Sequence, residues 1–233
     1  MSQITNLAYF YERSRKVRGG REVWVKDSNG ESRKNVFLGG TILNPNKGFG
    51  HLWAAQLVQY TPAEGCLIFR SFEVSDAALA NATTIKIKGD GFSDAPEVGM
   101  YIMIAPDDVT TAGAYAKITA VEYDADNAKF NVTLARALGT PLSGGEILVE
   151  ADAAADAALA KPTGDATVLV PNPNTFIEAD ADLMPTEGYG LDGTANYSIS
   201  TVHDKEAWIP KMQPLPKYVL AKNRSYIKGI FWI

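Results

Sequence analysis

The sequence predicts a mainly β protein in which a basic N-terminal arm or hairpin precedes a small antiparallel β-barrel and a second β-rich C-terminal region. Apolar and polar residues alternate over short segments such as "TTIKIK" and "AKFNVTLA", which is the period of a half-buried strand. Turn-forming residues separate these segments, and the 233-residue chain contains 20 Gly and 12 Pro. Short strands joined by turns in this way are typical of an antiparallel barrel.

Residues 1–50 form the predicted N-terminal arm. The segment "REVWVKDSNGESRKNVFLGG" predicts a hairpin whose turn lies at Asp27–Gly30, because Asn-Gly favours tight turns. The segment has too few apolar residues to form a core alone. We therefore expect it to fold against the rest of the chain or against a partner.

Residues 51–151 form the predicted barrel. "HLWAAQLVQYTPAEGCLIFRSFEV" indicates a strand, a turn and a second strand, and a helix over Leu52–Tyr60 is the alternative. Five strands then follow at "TTIKIK", "GMYIMIA", "AYAKITAVEY", "AKFNVTLA" and "EILVEA". Their alternation places Ile85, Ile87 and Phe130 on the buried face.

The remaining chain is predicted as an Ala-rich linker or short helix at residues 152–165 and a β region at residues 166–233. Strands are expected at "ATVLVP" and "NYSISTV", with a short strand at Trp208 and Ile209. A long acidic loop, "EADADLMPTEGYGLDGTA", lies between them. The last four residues, Ile230 to Ile233, are all large and apolar, so we expect them to be buried in the core or in an interface.

Charge is distributed unevenly along the chain. Residues 1–50 hold nine Arg or Lys and four Asp or Glu, which gives +5, whereas residues 51–233 hold thirteen and twenty-three, which gives −10. Such asymmetry suggests that one end has a separate role. The acidic body argues against general nucleic-acid binding, because phosphate contacts supply most of that affinity.

Few residues suit catalysis or metal binding. The two histidines, His51 and His203, lack partners at zinc-ligand spacing, so we expect no enzyme activity and no cofactor. Cys66 is the only cysteine, and its apolar flanks predict a buried, inert thiol. No signal peptide or membrane span is predicted, which leads us to expect a protein that remains in the cytoplasm or in an assembly made there.

Several motifs resemble those of phage head fiber or capsid-decoration proteins, particularly from phages of Bacteroidales, including crAss-like relatives. These motifs are turn and strand segments rather than catalytic ones. They comprise Lys88–Phe92, Val98–Ile102, Tyr115–Val121, Thr133–Leu142, Gly144–Gly145 and Leu148–Ala151, together with the later "VPNPNTF" and "AWI…PLP…KGIFWI". The resemblance covers about residues 55–233.

This resemblance implies a structural protein of the virion, attached to the outer surface of the capsid through the major capsid protein. It also implies assembly in the cytoplasm of a bacterial host and a homo-oligomer, with a trimer as the expectation by analogy. Residues 1–50 are the part of the chain that least resembles these proteins, and they are the predicted docking arm. Candidate docking residues are the aromatic and basic side chains Tyr9, Phe10, Tyr11, Arg13, Arg15, Lys16, Arg18, Arg21, Trp24 and Phe37.

Two alternative functions belong to other classes. The arginines beside Tyr9 to Tyr11 also suit a nucleic-acid-binding module, since aromatic rings stack on bases and cations contact phosphates. Tyr189, Tyr197 and Trp208 suit a glycan-binding adhesion module that contacts a host glycan, because aromatic faces stack on sugar rings. Neither alternative involves a membrane.

Overall fold

The computed structural model describes residues 37–41, 51–61, 65–90, 94–153, 165–177, 181–182, 198–202, 206–222 and 229–232. The prediction of a mainly β protein is confirmed, and every pairing between the described strands is antiparallel.

The strands in chain order are β1 Phe37–Thr41, β2 His51–Leu52, β3 Leu57–Thr61, β4 Gly65–Ile68, β5 Ser71–Glu73, β6 Thr84–Lys88, β7 Tyr101–Ile104, β8 Gly113–Asp124, β9 Lys129–Leu134, β10 Ile147–Asp152, β11 Asp165–Val168, β12 Thr175–Ile177, β13 Ala181–Asp182, β14 Ser198–Val202, β15 Glu206–Trp208 and β16 Ile230–Trp232. A 3-10 helix spans Ile209–Lys211, and an α-helix, α1, spans Lys217–Lys222.

The chain divides into two compact units that are each discontinuous in sequence. The first unit draws on Met1–Ile68, Pro173–Met212 and Arg224–Ile233, and the second on Phe69–Asn172 and Gln213–Asn223. These units cut across the consecutive ranges expected from the sequence. Strands β3 and β4 group with the C-terminal strands, and helix α1 groups with the middle of the chain.

The first unit contains a five-stranded sheet in the order β1-β14-β12-β3-β4. The two strands predicted at "HLWAAQLVQYTPAEGCLIFR" are confirmed as β3 and β4, which rules out the alternative helix; most of the turn between them lies outside the described residues. Val58, Cys66 and Ile68 of these strands form an apolar cluster with Leu52 of β2 and Ile177 of β12, and Tyr60 packs against it. The strand expected at "NVFLGG" is confirmed as β1, and it pairs with β14.

The apolar C-terminus contributes to the first unit through the two-stranded sheet of β15 and β16. Phe231 is 2% exposed and its ring lies edge-on to Phe176, with 6.0 Å between ring centroids. The expected burial is therefore confirmed at Phe231, while Ile230 is half-buried. The short strand predicted here is β15, which ends at Trp208, whereas Ile209 begins the 3-10 helix.

The second unit contains a seven-stranded sheet in which β11, β10, β7, β8, β9 and β6 pair in that order and β5 pairs with β10. All five strands predicted in residues 80–151 are confirmed. The alternation also holds, because Ile85 and Ile87 of β6 and Phe130 of β9 are buried while Lys86 is exposed.

The edges of this sheet approach each other. The isolated antiparallel bridge between Val74 and Ile87 joins the residue after β5 to β6, and the Ser75 N–H donates to the Lys86 carbonyl at 2.8 Å. Strand β11 contacts both β10 and β8. A closed barrel in the second unit remains a prediction.

Helix α1 was not predicted, because the sequence predicts only a short strand at Trp208 and Ile209 within the Pro-interrupted segment "KEAWIPKMQPLPKYVLA". The Val219 and Leu220 N–H groups donate to the Pro216 carbonyl, at 3.0 and 3.2 Å, as expected when a proline sits at the start of a helix. Tyr218 then packs edge-on against Phe69, 6.4 Å between centroids. A segment far along the chain thus completes the second unit.

Three expectations lie wholly or mostly outside the described residues. They are the turn and first strand of the N-terminal hairpin, the Ala-rich segment after residue 153, and most of the acidic loop, of which the backbone of β13 is described.

Candidate functional site

The candidate docking residues are almost all outside the described part of the chain. Tyr9, Phe10, Tyr11, Arg13, Arg15, Lys16, Arg18, Arg21 and Trp24 precede residue 37. Phe37 is described in its backbone, which pairs with Val202 at the start of β1. The docking arm therefore remains a prediction from sequence.

The described residues instead bring together a buried charged cluster that the sequence did not suggest. The Arg70 Nε donates to Glu150 Oε2 at 2.9 Å and its Nη2 donates to Oε1 at 2.8 Å. The two side chains are only 2% and 4% exposed. A planar guanidinium matches both oxygens of a carboxylate, so this is a bidentate pair of the strong kind.

Strand register explains why these two residues meet. Ser71 pairs with Val149, and Phe72 with Leu148, so the next position along places Arg70 opposite Glu150. Facing residues of an antiparallel pair lie on the same side of the sheet. Both charges therefore project to the same face as Ile102, which pairs with Glu150 and is fully buried.

Two further carboxylates belong to this cluster. Asp94 and Glu97 lie in the loop before β7 and are 8% and 9% exposed. Burial raises the pKa of Glu97 to about 7; the attraction of Arg70 opposes this shift, and repulsion from Glu150 and Asp94 adds to it. Glu97 therefore exchanges its proton near neutral pH, unlike a solvated glutamate.

The carboxyl groups of this cluster are shielded from water, and burial makes Glu97 bind its proton more tightly. The protonation of Glu97 is therefore linked to the stability of the fold. The sequence did contain one signal of these buried charges: Arg70 and Glu150 each lie inside an apolar run, "LIFRSF" and "ILVEA".

The outer face of β6 carries ion pairs. Asp76 Oδ1 accepts from Lys129 Nζ at 2.8 Å, and its Oδ2 lies 3.3 Å from Lys86 Nζ. The hydrogen bond from Lys129 lowers the pKa of Asp76 below its usual range. Lys88 pairs with Glu73. Partly exposed pairs of this kind stabilise a protein only slightly.

Two neighbouring tyrosine rings, one on β7 and one on β8, each lie close to a cation. The rings of Tyr101 and Tyr115 lie edge-on, 5.8 Å between centroids. Lys117 Nζ lies 5.5 Å from the Tyr101 centroid, and the Arg136 guanidinium carbon lies 4.8 Å from that of Tyr115. Each ring thus has a cation over one face, which stabilises the half-buried surface.

Two shallow clefts lie on the second unit. One, of about 280 Å³, is bounded by the loop between β5 and β6 and includes Leu79 and Ile85. The other, of about 250 Å³, lies beside Asp107 and Lys217, whose side chains form an exposed ion pair at 3.0 Å.

Cys66 is fully buried in the first unit, as expected from its flanking residues. Burial raises the pKa of this thiol to about 11. Since the thiolate is the reactive form, this shift disfavours reaction at neutral pH.

Among the side chains that the structure places, no group of three or more His, Cys, Asp and Glu is arranged to hold a metal ion. Within the same described ranges, no helix has both the length and the apolar character needed to cross a bilayer.

Comparisons with protein-family models, with curated proteins and with solved structures found no match to this chain. The resemblance to phage head fiber proteins therefore depends on the sequence motifs alone.

We predict strong coupling between Arg70 and Glu150 in a double-mutant cycle measured by denaturant unfolding. Arg70→Met and Glu150→Met should each lower the free energy of unfolding by about 3–5 kcal/mol, because each leaves a buried charge without its partner. The double variant should lose much less than the sum. The exposed pair Lys217 and Asp107 provides the control cycle, where we expect little coupling. Additive losses at Arg70 and Glu150 would contradict the prediction.

We predict that Glu97 makes stability depend on pH. Because its pKa rises from 4.5 to about 7 on folding, the folded chain holds this proton more tightly than the unfolded chain. The resulting stabilisation is complete below pH 4.5 and is lost as pH rises through 7. Relative to Glu97→Gln, the wild type should lose about 3 kcal/mol over this range.

Denaturant unfolding at a series of pH values measures this difference. Glu122→Gln, the same change at an exposed position of β8, is the control and should follow the wild-type profile. Parallel profiles for the wild type and Glu97→Gln would refute the assigned role.

Proposed function

We propose that this chain is a structural protein of a phage virion, a head fiber or decoration protein attached to the outer capsid surface through the major capsid protein. The basic arm of residues 1–50 is the attachment segment, and assembly takes place in the cytoplasm of a bacterial host.

The observation that carries this proposal is the position of the resembling motifs in the second unit. "VGMYI" supplies Gly99, with φ 102°, and the buried Ile102. "LGTPL" supplies Gly139, with φ 77°, and the buried Leu142. Positive φ favours glycine, so these motifs specify turns and core contacts. The resemblance thus concerns the residues that specify this unit's fold.

The distribution of charge supports attachment through the N-terminal arm. Residues 1–50 carry +5 and residues 51–233 carry −10. A basic arm increases the rate and specificity of association with an acidic surface. Exposed ion pairs add little affinity each, so the aromatic side chains Tyr9, Phe10, Tyr11, Trp24 and Phe37 are the proposed anchors.

We predict that neutralising the arm weakens capsid binding. The triple variant of Arg13, Arg15 and Arg18 to Gln should bind purified empty heads at least about tenfold more weakly in co-sedimentation, and the loss should shrink as salt rises. The matched control changes three exposed lysines, Lys211, Lys217 and Lys222, to Gln and should bind as the wild type does.

The outcome separates the alternatives. Equal binding by both triple variants contradicts attachment through the arm. Binding of the wild type to duplex or single-stranded DNA at low salt, lost in the arginine variant and kept in the lysine variant, would favour the nucleic-acid alternative instead.

A glycan-binding adhesion module is the second candidate, and one observation favours it. Trp208 is 42% exposed and lies on a paired strand, opposite Ile230. An indole held on a strand offers a flat apolar face of the kind that sugars stack on. Tyr189 and Tyr197, the other candidates, lie outside the described residues.

If this second candidate holds, the wild type binds defined sugars on a glycan array and Trp208→Ala removes that signal. Trp208→Phe retains a ring and should keep part of it. Because Trp208 is only 42% exposed, Trp208→Ala also removes packing, so thermal unfolding is measured for both variants to confirm that each is folded on the array. An array on which Trp208→Ala gives the wild-type pattern would exclude Trp208 from binding.

A further inference from the structure

Leu79 is the starting point for an inference about self-association. Its side chain is 75% exposed, more than the other exposed large apolar side chains of the described residues, Val98 and Trp208. It lies in the loop between β5 and β6, in the segment "SDAALANAT". Four alanines flank it, of which Ala77 is exposed and the other three are half-buried. Clustered exposed apolar groups mark interaction sites more often than single ones do.

The loop holds Leu79 in a fixed position. The Ala78 N–H donates to the Leu142 carbonyl at 2.9 Å, and the Leu142 N–H donates back at 2.8 Å. The Ala82 N–H donates to the Leu79 carbonyl at 2.9 Å, and the Gly139 N–H to the Ala80 carbonyl at 3.1 Å. Because the backbone is already ordered, little conformational entropy remains to be lost when Leu79 is buried by a partner.

A cleft that can accept such a side chain lies beside Leu79. The cleft of about 280 Å³ is lined by Ala77, Ala78, Ala82 and Ile85, together with Asn81, Thr84 and Leu79 itself. It is shallow and open to solvent, so a leucine side chain from another molecule would pack against the alanine methyl groups without being enclosed.

Charges of both signs border this cleft. Asp76 and Lys86 line it, with 3.3 Å between their charged atoms, and Asp76 also accepts from Lys129 at 2.8 Å. A partner with a single sign of charge would be attracted by one of these groups and repelled by the other. When a second copy is turned by 180°, the Lys86 of each copy approaches the Asp76 of the other copy.

We propose that this patch, Leu79 and the adjacent alanine-lined cleft, binds a second copy of the chain in a two-fold contact. Each Leu79 enters the cleft of the other copy, and Asp76 and Lys86 pair across the edge. Leu79 and the cleft lie on the same surface of the chain, which is the condition for an isologous two-fold interface. A ring of copies would require Leu79 and the cleft to lie on separate faces.

This contact is independent of the capsid-attachment proposal, since it uses none of residues 1–50. It is also distinct from the trimer that the resemblance implies, because a two-fold contact doubles the mass. The patch is small, so we expect a dissociation constant of about 10–100 µM, which matters where many copies are held close together.

The experiment is sedimentation equilibrium of the full chain over a concentration series, with one variant for each half of the contact. Leu79→Ala removes the protruding side chain, and Ala82→Leu fills the cleft. Each should weaken dimer formation at least about tenfold. Val98→Ala, at an exposed apolar residue outside the cleft, is the control and should dimerise as the wild type does.

Mixing the two variants gives the decisive result. Leu79→Ala keeps the cleft and Ala82→Leu keeps the leucine, so one intact contact forms between them. The mixture should associate more tightly than either variant alone. Thermal unfolding checks each variant, and Thr84→Arg, at an exposed position lining the cleft, replaces Ala82→Leu if the latter is destabilised.

A monomeric wild type across the series overturns the proposal, as does dimerisation of Leu79→Ala equal to that of the wild type. A mixture no tighter than its components, after both variants have lost dimerisation, overturns the reciprocal insertion of Leu79.

Discussion

The buried ion pair between Arg70 and Glu150 is the constraint on which the interior of the second unit depends. Its partners are 80 residues apart in sequence, and they meet only if β5 and β10 pair in the observed register. A shift of one residue would turn one charge to the opposite face and leave the other buried alone, at a cost of several kcal/mol. The ion pair thus destabilises incorrect strand pairings more than it stabilises the correct one. Glu97 extends the same constraint to the loop before β7.

A rigid interior has consequences at the surface. The loop that carries Leu79 is hydrogen-bonded to Gly139 and Leu142 rather than extending freely. Loops fixed in this way can present a side chain at low entropic cost. The proposed capsid arm and the proposed two-fold contact use separate parts of the chain, so one copy could engage a shell and a neighbour together. Two weak contacts made at once give more avidity than either alone.

Sequence patterns predicted the strands wherever one face was buried and the other polar. Ile85, Lys86 and Ile87 alternate in burial as expected, since the period of a strand is a local property. Helix α1 was not predicted, because six residues give too little periodicity and its docking depends on Phe69, which is distant in sequence. The charged cluster was also not predicted, because the apolar neighbours of Arg70 and Glu150 mark both charges as unusual but do not show that they meet. The candidate docking arm is known from sequence alone.

By itself, the sequence determined that this protein is mainly β, where most of its strands lie, which faces of those strands are buried, and how its charge divides between the two ends. These properties follow from neighbouring residues and from composition. Only the tertiary structure decided which strands pair, that the two units are assembled from separated segments, and that an acid with a pKa near 7 is buried beside an arginine. Those outcomes depend on contacts between distant residues, and a sequence pattern carries no direct record of distance in space.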